Sequence, residues 1–162
     1  MAYNSYQSNN YKSQNRYSSQ PQQPPAALQH PPLELPKDYV EAAEKVMLSL
    51  GQYDERSGKY VFKITTSKIR SFLSLANDIY NIENTRKDET LTEESMNKIN
   101  MMRVRILYEA GRYEAEVKPF IEKSKLISYI KGIGTSRKKL IDFCKYLEAL
   151  VAYHRYLGGK ES

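Results

Sequence analysis

The chain has 162 residues, enough for one domain and a tail. One cysteine and two histidines exclude an internal disulfide and a thiolate or histidine metal cluster, and no apolar run approaches the roughly 20 residues of a membrane span. Formal charge is +6, and residues 117–162 carry ten basic against four acidic side chains, whereas residues 37–116 carry thirteen against fourteen. Such asymmetry suits a polyanion or an anionic membrane surface, and a solvated face with no partner accounts for it equally well. Without the apolar core of a signal peptide, and with a thiol that fits a reducing compartment, the chain is expected in the cytoplasm.

Residues 1–36 are rich in Asn, Gln, Ser, Tyr and Pro. Such a composition cannot bury enough apolar surface to offset ordering entropy, so this segment is expected to be a disordered tail. The remainder, 37–160, reads as a compact all-α bundle of about five helices. The first runs over Lys37–Leu50, with Pro36 before it and Gly51 after it. In 52–63 a turn at Ser57-Gly58 lies between short extended flanks, which allows a small hairpin. The second helix covers Ser67–Ile82 after the cap candidates Thr65 and Thr66, with Ile69, Phe72, Leu73, Ala76, Ile79 and Tyr80 on its apolar face. The third covers Glu93–Ala110, where Thr90 and Glu93 suit a capping box. The fourth starts near Val117–Pro119 and ends at Gly132. The fifth starts near Thr135–Ser136 and ends at Gly158-Gly159.

On a wheel of about 100° per residue, the last helix puts Leu140, Phe143, Cys144, Leu147, Leu150, Val151, His154 and Leu157 on one broad arc. An arc that wide suits a helix central to a bundle. Lys138, Lys145 and Tyr156 share the other face. His154 therefore reads as a packed histidine and not a catalytic base, and Cys144 as a buried thiol. His30 falls in the tail. No P-loop appears and no carboxylate pair stands out from helix-surface spacing, so no catalysis, metal or cofactor is expected.

Lys98, Arg105 and Arg112 recur every seven residues. At about 1.5 Å rise per residue they make a stripe of cations roughly 10 Å apart, a track for a nucleic-acid backbone or an ordinary solvated face. Arg103 falls instead among Met96, Ile99, Ile106, Leu107 and Ala110. There it needs an internal carboxylate, a partner subunit or a phosphate. Ile130–Leu140, IKGIGTSRKKL, resembles a helix-hairpin-helix DNA-binding element, with Gly132, Ile133 and Gly134 at the turn. Two glycines between helices also simply make a tight connection.

Four further blocks, ITTSKIRSFLSLANDIYN (Ile64–Asn81), MMRVRILYEAGR (Met101–Arg112), VKPFIEK (Val117–Lys123) and FCKYLEALVAYHRYLGGK (Phe143–Lys160), stand in the order found in one family. The chain resembles the small subunit of the type III-A CRISPR effector, the Csm complex. The tail departs from compact members of that family. The resemblance implies an all-helical, nonenzymatic subunit of an antiviral ribonucleoprotein. Copies of it would stack beside the crRNA-binding backbone subunits, together with the large subunit, and line the channel holding crRNA and target RNA. Carried over by motif, the RNA-facing candidates are Lys68 and Arg70 in TTSKIR, Arg103 and Arg105 in MRVR, Arg112 in EAGR and Lys118 in VKPF, with Lys145 and Arg155 next. Their role would be sequence-independent contact with phosphates, base pairing supplying recognition. Arg103 and Arg105 diverge by about 200° on a helix, so they cannot both face one strand. Two other functions fit the residues alone: a free-standing DNA-binding protein using the 130–140 element, and a helical adaptor that binds only protein.

Overall fold

Three hydroxyl side chains set where the longest helices begin. In the computed structural model, which describes residues 30–162, Thr65, Thr92 and Ser136 each accept the amide hydrogen three residues on, from Lys68, Ser95 and Lys139. They satisfy donors that a helix start would otherwise leave open. The helices they open are α2 (Thr66–Glu83), α3 (Glu93–Arg112) and α6 (Arg137–Tyr156). The others are α1 (Tyr39–Leu50), α4 (Val117–Lys123) and α5 (Leu126–Ile133). The expected all-α bundle is thus found, with six helices among the described residues. The tail residues 1–29 lie outside them.

Two boundaries differ from those expected. The cap of α3 is Thr92, not Thr90. Glu83 reaches across from the end of α2 and accepts both the Thr92 amide at 3.2 Å and its hydroxyl at 3.1 Å, which fixes that residue at the helix start. The expected fourth helix is two, α4 and α5. Lys125 sits between them at φ +53°, and Ser124 turns its hydroxyl onto Phe120 O at 2.6 Å. The break lets α5 fold back along α6, where Tyr146 is fully buried, edge-on to Tyr129 at 5.5 Å and donating to Ser124 O at 3.0 Å.

β1 (Gln52–Asp54) and β2 (Lys59–Val61) form the antiparallel hairpin, in register Tyr53↔Tyr60. Its turn is closed by Gly58 at φ +66° and by Asp54, which accepts from the Ser57 hydroxyl. Two strands alone are marginal in water. These are anchored by Tyr60 N–H to Leu157 O at 2.9 Å and by Phe62 against the His154 ring.

α2 packs on α3 and α6, α6 also on α1 and α5, and α3 also on α4 and α5. Ile69, Phe72, Ala76 and Ile79 of α2 are buried as the wheel requires, with Phe72 stacked on Phe120 of α4 at 6.3 Å. Residues 30–36, expected to belong to the tail, lie against α5 and α6. Leu33 N–H bonds Ser128 O at 3.0 Å, Lys131 reaches His30 O at 2.7 Å, and Leu35 joins the core. Glu34 adds an ion pair with Lys139 of α6 at 2.6 Å.

Candidate nucleic-acid interface

The eight basic residues singled out from the sequence divide into two kinds. Four are held by carboxylates. Lys68 on α2 pairs with Glu109 on α3 at 2.9 Å and lies 3.3 Å from the centre of the Tyr113 ring. Burial disfavours its charge, but the Glu109 hydrogen bond and attraction outweigh that and hold its pKa above the ordinary lysine value. Lys118 pairs at 2.7 Å with Glu114, four residues back in the turn that precedes α4. Arg70 and Arg155 both reach Glu161, at 2.8 and 3.4 Å.

The other four, Arg103, Arg105, Arg112 and Lys145, have no ion-pair partner among the described residues. Arg105 and Arg112 are exposed on α3, two turns apart. Between them Tyr108 is 64 % exposed, and Met101 and Val104 are more than half exposed beside it. Arg112 also lies 5.1 Å from the Tyr113 ring centre. Lys98, the third member of the stripe, is paired with Glu94 at 2.9 Å. Arg103, expected to need a partner on the apolar face, is instead half-buried at its margin, and its neighbour Leu107 is 44 % exposed. At such a margin a long side chain can keep its charged end in water, so no internal carboxylate is required.

Lys145 stands apart. It is exposed on α6, and α2 lies between α6 and the packing of α3. The tertiary arrangement therefore makes two basic areas: α3 with Arg105 and Arg112, and the end of α6 with Arg155, joined to Arg70 of α2 through Glu161. A cleft of about 450 Å³ between α2 and α3 is lined by Lys68, Phe72, Arg105 and Tyr108 among others. Tyr108 was not among the sequence candidates. Its place opposite Ile99 and Ile106 on the helix wheel was the available signal.

The 130–140 element is tied into the fold. A Cβ on Gly132 would stand 1.8 Å from Leu33 O. The amides of Ser136 and Arg137 bond Ile133 O and Glu89 O at 3.0 and 2.9 Å. Lys138 pairs with Asp142, and Lys139 with Glu34. These contacts make the glycine turn a close helix–helix connection, with segment 30–36 lying over it.

Two further titratable groups, His154 and Cys144, are packed in the interior. His154 is fully buried, with Nε2 3.0 Å from Ile64 O and Nδ1 3.0 Å from Thr66 Oγ1. A carbonyl can only accept, so Nε2 donates to Ile64 O and carries the proton of the neutral ring, while Nδ1 and Lys160 O, each 3.0 Å from Thr66 Oγ1, share the one proton of that hydroxyl. Burial lowers its pKa, aided by Arg155 and opposed by the Ile64 bond and by Glu161. Burial pushes the Cys144 thiol up to about 12. Among the described residues no group of three or more His, Cys, Asp or Glu is placed to hold a metal ion, and no helix is long and apolar enough to cross a membrane.

Comparison with known proteins gives a consistent picture. The family model described as Csm2 Type III-A matches residues 44–160. The chain is 37 % identical over 124 residues to the CRISPR system Cms protein Csm2 of Mycobacterium tuberculosis H37Rv, covering 76 % of this chain and 94 % of that protein. The Streptococcus thermophilus protein of the same description is 38 % identical over 125 residues, covering 77 % and 95 %. That of Enterococcus italicus is 40 % identical over 96 residues, covering 57 % and 67 %.

Proposed function

The chain belongs to the Csm2 type III-A family, the small subunit of the type III-A CRISPR effector complex, and on that premise we propose that it is a nonenzymatic, cytoplasmic subunit whose basic α3 face meets the RNA of that complex. Several copies stack, alongside the backbone and large subunits, and each contributes phosphate contacts to the channel that holds crRNA and target RNA. The observation that carries the RNA-facing part is the pair Arg105 and Arg112, exposed, without carboxylate partners among the described residues, and flanking Tyr108. At about 10 Å apart along the helix, two free guanidiniums bridge phosphates more than one nucleotide apart. The tyrosine between them offers a ring on which a base can stack. Contacts of this kind hold a strand without reading its sequence.

Of the other candidates, Arg103 lies about 200° round the same helix from Arg105 and so serves a neighbouring subunit. Lys68, Lys118, Arg70 and Arg155 act only where RNA competes with the carboxylates that now hold them. Lys145 serves a separate contact, with a neighbouring subunit or with RNA reaching α6.

The test is target capture by the crRNA-loaded complex assembled with variant subunit. Arg105→Ala with Arg112→Ala is expected to weaken capture by about tenfold or more at moderate salt, and to flatten the dependence of log K on log salt by about two. Lys118→Ala should change it less than threefold. Undiminished capture by the double variant, with the subunit still incorporated, would remove the α3 face from the interface.

A further inference from the structure

The chain after α6 does not trail away. Lys160 O accepts the Thr66 amide at 2.8 Å, and Glu161 O accepts the Ser67 amide at 3.0 Å and the Ser67 hydroxyl at 2.5 Å. Residues 159–161 thus lie as a strap over the first turn of α2, supplying carbonyls to amides that a helix start leaves open. Gly159 lets the strap in. A Cβ there would stand 2.2 Å from the His154 ring.

Held this way, the Glu161 carboxylate meets two guanidiniums that come from different elements. One oxygen is 2.8 Å from Arg70 of α2 and the other 3.4 Å from Arg155 of α6, which also donates to Gly159 O at 3.2 Å. All three side chains are about half exposed. Two guanidiniums closing on the two oxygens of one anion is also how arginines hold the nonbridging oxygens of a phosphodiester.

We infer that Arg70 and Arg155 form a phosphate site for RNA that Glu161 fills in the free protein, so the strap is an internal competitor for the nucleic acid. This rests on the RNA-facing reading above and adds to it a second contact area, with its own control. Solvent screens the half-exposed pairs, which makes them displaceable. Tethering by the backbone bonds keeps the carboxylate at high local concentration, which makes it an effective competitor. A strand carrying many phosphates displaces it, and a lone anion does not. The family match ends at residue 160, so this carboxylate lies just outside the matched stretch.

Binding of a fluorescein-labelled single-stranded RNA to the full chain at low salt, followed by anisotropy, tests this. Glu161→Gln is expected to tighten binding about three- to tenfold and to steepen the salt dependence by about one, because the freed arginines then bind and release counterions. Its melting temperature should stay close to that of the wild type. Arg70→Gln in the Glu161→Gln background should cancel the gain. A Glu161→Gln chain that binds no tighter than a binding wild type overturns the competitor role and leaves the α3 interface standing. Failure of both chains to bind overturns it as well, and target capture by the assembled complex then decides the α3 interface separately.

Discussion

His154 illustrates how a single residue's chemistry is set by where it is packed. Its ring is enclosed by Phe62, Gly159, Ile64 O and Thr66, a site that favours the neutral form. The folded pKa lies below the ordinary 6.5, so below that pH the unfolded chain binds the proton more readily and stability falls as pH falls. Thermal melts from pH 7.5 to 5.5 should therefore decline more steeply for the wild type than for His154→Gln; equal slopes would contradict the assignment. Glu83 governs a lower window. It is fully buried, and its carboxylate is held down to about 2: burial opposes this, but bonds from Ser95, Arg86 and Thr92 prevail. The stability it supplies is complete above the unfolded carboxylate pKa near 4.5 and is lost as pH falls from there toward 2. Glu83→Ala leaves the Arg86 charge and the Thr92 amide without that partner and should cost about 3 kcal/mol in denaturant unfolding. The sequence placed His154 among packed residues because its helical phase decides that. It gave no sign of Glu83, whose partners lie mostly in the loop and helix start beyond α2.

At the scale of elements, backbone conformation decided what periodicity could not. Residues 117–132 are expected as a single helix, yet Lys125 within them is left-handed at φ +53°. Lys125→Gly should stabilise the fold by about 0.5–1 kcal/mol by removing the Cβ penalty, and Lys125→Val should destabilise it by about 1 kcal/mol, both read from chemical denaturation. Close approach matters in the same way at Gly132, whose missing Cβ lets Leu33 O sit against α5. Gly132→Ala is expected to detach residues 30–36 while the six helices persist. Loss of hydrogen-exchange protection at the Leu33 amide, with Phe72 and Leu147 amides still protected, would show this. Pattern reading recovered the helix ends before Gly51 and Gly158-Gly159 because glycines there interrupt the apolar period. It missed the break at Lys125 because nothing in the residue type requires a left-handed turn.

For the whole molecule, the bundle sorts its cations more than its composition does. The charge excess of the last third of the chain suggested that α6 carries the basic face. In the fold, Lys138, Lys139 and Arg155 of α6 are each engaged by a carboxylate, from as far away in sequence as Glu34. The open pair is instead on α3, in the stretch whose formal charge is slightly negative. A count along the chain cannot register which acid neutralises which base, since five of the nine pairs among the described residues join residues other than three or four positions apart.

The sequence by itself determined the class of fold, most helix boundaries and the family, because apolar period, hydroxyl caps and ordered motif blocks are local properties of the chain. Tertiary structure alone decided which arginines remain open, that the glycine turn at 132–134 is covered by an N-terminal segment, and that Glu161 returns to α2. Each of these depends on residues tens of positions apart being brought within hydrogen-bond distance, and no local pattern encodes that distance.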